Sequence, residues 1–100
     1  MEIKGTLPVA LKMVVGQTEV KSKQVVMRQM TTLEYLQSQS QSQPDQFIAL
    51  IDLTSMTKLI DDDGNEHKIT YDMLAHSSRS NFDYLTQKRA ELDAKEQAES

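Results

Sequence analysis

The sequence predicts an α+β fold in which an N-terminal antiparallel β-hairpin is followed by three to four α-helices. Apolar residues at every second position of the first segment, followed by Gly16-Gln17, predict the hairpin. A capped helix start at Thr31 and later apolar residues at helical spacing predict the helices. The 100 residues are enough for one domain, which we expect over residues 1–92, with a frayed tail over residues 93–100.

The hairpin is expected over about residues 6–30. Alternate residues of a strand point to the same side, so the first strand presents one apolar face: Leu7, Val9, Leu11, Met13 and Val15. The return strand is polar before it becomes apolar, which predicts a bulge or a register shift near residues 22–24. A two-stranded hairpin is marginally stable by itself, so helices or another subunit must cover the apolar face.

Four helices are expected, over about residues 32–40, 44–57, 70–76 and 80–92. Thr31 and Glu34 have the spacing of a capping box, and Thr70 is the expected N-cap of the third helix. A polar Gln-Ser stretch separates the first two helices and ends at Pro44, which suits the first turn of a helix. The second helix should be the most buried, because it carries an apolar stripe at i, i+3 and i+4: Phe47, Leu50 and Ile51.

The composition argues against several classes of function. The chain has no cysteine, so neither a disulfide framework nor a cysteine-based zinc site can form. Its 15 Asp and Glu outnumber its 11 Lys and Arg, and the net charge of -4 repels nucleic-acid phosphates. No apolar run approaches the roughly 20 residues that span a bilayer. The first four residues lack the order of a signal peptide, so export by that route is not expected.

The acidic segment at residues 61–66 resembles a calcium loop only superficially. With Gly64 in the sixth place of an EF-hand loop, the first and twelfth places fall on Leu59 and Thr70, which have no carboxylate. A solvated turn with Gly64 at positive φ is expected instead. His67 and His76 have no second ligand at metal spacing. No catalytic, cofactor-binding or metal-binding residue is therefore predicted, and the chain is not expected to be an enzyme.

Four apolar segments follow one another in a particular order: Val25-Val26-Met27-Arg28 before the capped start Thr31-Thr32-Leu33-Glu34, then Phe47-Ile48-Ala49-Leu50-Ile51, Ile69-Thr70-Tyr71-Asp72-Met73-Leu74 and Phe82-Asp83-Tyr84-Leu85. Over about residues 7–86 this order resembles the small tail assembly chaperones of contractile-tailed bacteriophages and Mu-like prophages. The frequent proline of that family at the strand–helix junction is replaced here by Met30-Thr31. The Gln-Ser stretch and the loop at residues 61–68 are also longer and more polar than in the family.

The resemblance implies a chaperone that coats the tape measure protein and keeps it soluble until the tail tube polymerises around it. The implied partners are the tape measure protein and, second, the tail tube protein. No cofactor, nucleic acid or membrane is implied, the expected location is the cytoplasm of the bacterial host, and a homo-oligomer stays open. The partner-binding residues expected on this basis are Leu7, Val9, Leu11, Met13, Val15, Phe47, Leu50 and Ile51. The alternative for these residues is that they build the core of the monomer.

Two other functions remain open from the sequence. One is a structural tail or baseplate component of a phage particle, which would be found in stoichiometric amounts in purified particles. The other is a small DNA-binding regulator, which the acidic charge and the scattered basic residues disfavour.

Overall fold

The computed structural model describes residues 1–99, and it confirms the α+β class and the N-terminal hairpin. The elements in chain order are β1 (Glu2–Val15), β2 (Thr18–Arg28), α1 (Thr32–Ser40), α2 (Ile48–Met56), β3 (Thr57–Ile60), β4 (Glu66–Lys68), α3 (Tyr71–Ala75) and α4 (Arg79–Glu99). The strands form one antiparallel sheet in the order β1-β2-β3-β4. Each strand therefore pairs with its neighbour in sequence, and α1 and α2 are inserted between β2 and β3.

The hairpin has the predicted turn, with Gly16 at φ 64°, and its register shifts near residues 22–24, as predicted. The pairing steps from Thr6 opposite Gln24 to Leu11 opposite Ser22. The additional residues of this irregularity belong to β1, opposite the predicted position on the return strand. Pro8 lies inside this bulge, where its lack of an N–H donor leaves no ladder bond unmade.

The short hairpin of β3 and β4 was not predicted from the sequence. The second helix was expected over residues 44–57, but α2 occupies Ile48–Met56 and Thr57 is already in a strand. β3 pairs with β2 through Val25, Val26 and Met27, and Leu59 at its centre is completely buried. This long-range pairing stabilises a four-residue strand that has no strong local signal.

The helix starts follow local capping chemistry. In α1 the Thr31 hydroxyl accepts from the Glu34 N–H, and the Glu34 carboxylate accepts from the Thr31 N–H. In α3 the Thr70 hydroxyl accepts from the N–H of Met73. These bonds satisfy N–H groups that have no partner within the helix. The bounds of α1 coincide with the predicted residues 32–40.

The last helix is longer than the sequence predicted. Residues 93–99 were expected to be a frayed tail, but α4 continues to Glu99, and Ser100 lies outside the described residues. Side-chain contacts hold this part of the helix: Gln29 donates to the Asp93 carboxylate at 2.7 Å, and Lys95 lies 3.5 Å from the Glu2 carbonyl oxygen. The segment is also rich in Ala, Glu, Lys and Gln, which favour helix.

The hydrophobic core lies between one face of the sheet and helices α2, α3 and α4. Because alternate residues share a face, Val25, Met27 and Leu59 point to the same side of the sheet. The core cluster consists of Leu7, Leu11, Val25, Met27, Leu53, Met56, Leu59, Ile69, Leu74, Leu85 and Leu92. The other face of the sheet, to which Val26 and Lys58 point, carries mainly polar and charged side chains.

Candidate partner-binding site

The hairpin residues expected to bind a partner do not form one surface. Leu7 and Leu11 are buried in the core, and Met13 packs partly against it. Val9 and Val15 are exposed at 45% and 41%. The bulge breaks the regular alternation between Leu7 and Leu11, so the face that the sequence predicted is divided between core and solvent.

The beginning of α2 presents two large apolar side chains to solvent. Phe47 is the N-cap residue of α2 and is 72% exposed, and Ile48 after it is 60% exposed. The backbone at Phe47 is held in place, because its N–H donates to the Tyr71 hydroxyl at 2.9 Å. Ile51, one turn further along, is buried. The exposed end of α2 is therefore a fixed apolar surface rather than a loose chain.

An open apolar groove of about 370 Å³ adjoins this surface. Phe47 and Leu50 of α2, Leu74 of α3 and Phe82 of α4 line it. We call it the α2–α4 groove. Its volume lies within the range of about 300 to 1,000 Å³ that is typical of binding pockets. Of the eight residues predicted from the sequence, the structure brings together Phe47 and Leu50 in this groove.

The rim of the α2–α4 groove is electropositive. Arg79 lines it, its side chain is 91% exposed, and its closest carboxylate is that of Asp83 at 3.7 Å. Arg79 also opens α4, whose first turn contains no acidic residue. The partial positive charge of the helix N-terminus and the guanidinium therefore add at this rim. An acidic group on a partner would be stabilised there.

A second apolar pair lies on α1. No residue of Thr32–Ser40 is buried, and Leu33 and Leu36 are 64% and 56% exposed. These two are three residues apart, so they are neighbours on the helix surface. A side-chain bond links α1 to the rest of the fold, because Gln39 donates to the buried Asp52 carboxylate at 2.9 Å.

The acidic segment forms the turn between β3 and β4, and Gly64 has the expected positive φ of 84°. One Asp61 oxygen accepts from the N–H groups of Asp63 and Asn65, and the other lies 2.8 Å from Nε2 of His67. The hydrogen bond with His67 is the main reason why the pKa of Asp61 lies below its ordinary value. Within residues 1–99 the structure forms no group of three or more His, Asp or Glu that could hold a metal ion.

Leu74, Arg79 and Phe82 are among the groove residues that were not predicted from the sequence. The sequence placed Leu74 and Phe82 on separate short helices, and only the packing of α2 against α3 and α4 brings them to one groove. Arg79 was assigned to a break before the last helix, whereas it is the first residue of α4. No local signal would have joined these residues, because the contacts are long-range.

No known family model matches this chain, and no match is found among curated proteins or solved structures. None of the helices within residues 1–99 combines the length and apolar character needed to cross a bilayer.

Proposed function

We propose that this chain is a tail assembly chaperone of a contractile-tailed or Mu-like phage. In this role it acts in the cytoplasm of the bacterial host, binds the tape measure protein and keeps it soluble during assembly of the tail tube. The observation that carries the proposal is the exposed apolar end of α2, at Phe47 and Ile48, beside the α2–α4 groove. The order of elements that resembles such chaperones supports the same assignment.

Exposed apolar surface of this kind favours binding to another protein. Full burial of a Phe or Ile side chain contributes about 1.5 to 3 kcal/mol. A contiguous apolar patch with a polar rim is typical of interaction sites. The net charge of -4 opposes self-association of the free protein, so the apolar surface can remain available until a partner arrives.

The shape and charge of the groove suit an amphipathic helix. Helix-in-groove recognition uses apolar side chains at i, i+3, i+4 and i+7, and a groove lined by Phe47, Leu50, Leu74 and Phe82 can accept such a row. An acidic residue flanking that row would meet Arg79 at the rim. A tape measure protein is long and helical, so it offers many segments of this kind, and they are insoluble when they are unpaired.

Co-expression with the tape measure protein of the same phage tests this proposal. The informative variant is Phe47→Asp. Phe47 makes no side-chain capping bond at the N-cap of α2, and an N-cap Asp stabilises a helix by about 0.5 to 2 kcal/mol, so this variant should fold at least as well as the wild type. The wild type should keep the tape measure protein in the soluble fraction and co-purify with it, whereas Phe47→Asp should do neither.

Val14→Asp is the matched control, because Val14 is equally exposed at 71% but lies at the end of the hairpin. It should behave as the wild type. An insoluble tape measure protein in the presence of the wild type would overturn the chaperone proposal. Stoichiometric amounts of the chain in purified particles would favour the structural component, and salt-dependent retention on DNA would favour the regulator.

A further inference from the structure

The face of the sheet turned away from the core carries a row of lysines. Lys4 of β1 pairs with Val26 of β2, Val26 pairs with Lys58 of β3, and Lys58 pairs with Lys68 of β4. Residues directly opposite one another on neighbouring strands point to the same face. Lys4, Lys58 and Lys68 therefore form one row across all four strands, which we call the lysine row.

Val26 lies between Lys4 and Lys58 in this row. It is only 1% exposed, yet it does not belong to the core cluster. Its two neighbours in the row are Lys4 and Lys58, whose aliphatic stems can lie over an apolar side chain while the ammonium groups stay in water.

The charge of the lysine row is neutralised only in part within the chain, because the pKa of Glu66 is lowered mainly by its hydrogen bond with Arg28 and to a smaller extent by the charges of Lys58 and Lys4. Two carboxylates lie beside it, and Arg28 binds both: it donates to Glu66 at 2.5 and 2.8 Å and to Glu2 at 3.0 Å. Among residues 1–99, none of the three lysines forms an ion pair. Lys58 and Lys68 are also directly opposite, which destabilises a sheet because like charges meet.

A net charge of -4 for the whole chain makes this cationic face a local exception. We propose that the lysine row is a docking surface for an acidic helix of a partner protein. Neighbouring strands lie about 4.8 Å apart, and carboxylates four residues apart on a helix are separated by about 6 Å. A helix laid across the strands can therefore place one carboxylate at Lys58 and another at Lys68.

A nucleic acid is the less suitable occupant. Duplex DNA carries one negative charge per about 1.7 Å, so it needs an extended basic surface. Three lysines on an acidic protein form only a short basic surface, which suits a partner with a few carboxylates. Electrostatic complementarity of this size mainly sets the choice of partner and the rate of association.

The test is fluorescence anisotropy with a labelled alanine-based helical peptide that carries Glu pairs four residues apart. We expect the wild type to bind it with salt-dependent affinity and not to bind the same peptide with Gln in place of Glu. The double variant Lys58→Glu/Lys68→Glu should lose on the order of tenfold or more in affinity. Lys21→Glu/Lys23→Glu is the matched control, because it makes the same charge change at two exposed positions of β2 that lie at or beyond the register shift and outside the lysine row, and it should bind nearly as the wild type.

The melting temperature gives an independent readout. Lys68→Glu places opposite charges across the β3–β4 pair, so it should raise the melting temperature while it weakens peptide binding. Three results would overturn the proposal. They are an equal loss of peptide affinity in the two double variants, a lower melting temperature of Lys68→Glu, and equally tight binding of a single-stranded oligonucleotide of the same charge. Phe47→Asp should leave peptide binding unchanged, which separates this surface from the α2–α4 groove.

Discussion

Asn81 is a buried polar residue on which the path of β1 depends. Its Oδ1 accepts from the Val9 N–H and its Nδ2 donates to the Val9 carbonyl, both at 3.0 Å, and the side chain is completely buried. At the bulge β1 has no partner residue on β2, so the carboxamide takes the place of a neighbouring strand. Tyr84, one turn later, accepts in the same way from the Thr6 N–H at 2.9 Å, and Gly5 leaves room for its hydroxyl, which a Cβ at that position would overlap.

Replacing Asn81 by alanine should destabilise the protein by about 1 to 3 kcal/mol, because two backbone groups of Val9 lose their partner and a buried unsatisfied group carries that penalty. Urea unfolding of the variant and the wild type measures the difference. Ser80→Ala, on the exposed neighbouring residue, should change the free energy of unfolding by less than about 0.5 kcal/mol. A variant Asn81→Ala as stable as the wild type would show that the bulge does not need this carboxamide.

At the scale of elements, α1 is the least firmly packed helix. It has a complete capping box but no residue of Thr32–Ser40 is buried, and Gln39 bonds to Asp52 on α2. Asp52 in turn accepts from Arg89 of α4 at 3.2 Å, so one buried carboxylate connects three helices. A helix held by polar contacts can adjust its position when a partner covers Leu33 and Leu36.

Removing the bond from Gln39 should loosen α1 alone. In Gln39→Ala the amides of residues 32–40 should exchange with solvent on the order of tenfold faster, since a hydrogen bond to a charged group contributes about 1.5 to 3 kcal/mol. Amides of α4 should be unaffected, because Arg89 keeps its contact with Asp52. Gln37→Ala makes the same substitution at an exposed position of α1 and serves as the control. Equal exchange in the two variants would contradict the role of this bond.

At the scale of the whole molecule, local sequence signals predicted the caps and turns, whereas features that depend on long-range contacts were not predicted. The capping pair Thr31 and Glu34 and the turn glycines Gly16 and Gly64 act within a few residues, so the sequence was sufficient to place them. The strand β3 depends on pairing with β2 more than thirty residues earlier, and it was missed.

The candidate site also combines residues that local signals predict with residues whose position depends on long-range contacts. Phe47 and Leu50 were found from helical spacing, but spacing does not say which side of a helix meets the core. Phe47 is exposed at the N-cap position, because α2 begins at Ile48. Its backbone N–H is bound by the Tyr71 hydroxyl. The division of the hairpin face follows from Asn81, whose partner Val9 is 72 residues away in the chain.

We propose that the exposed end of α2 and the α2–α4 groove bind the partner. Hydrogen exchange of the co-purified complex with the tape measure protein, compared with the free chain, tests this claim most directly. At the beginning of α2, the amides of residues 48 and 49 lack helical partners further toward the N-terminus, and that of Leu50 donates to the Phe47 carbonyl at 3.1 Å in the first turn. These three amides should exchange readily in the free protein. We expect the complex to slow exchange at these residues and at residues 74–79. Protection confined to the hairpin and the sheet, with residues 48–50 and 74–79 unchanged, would contradict it.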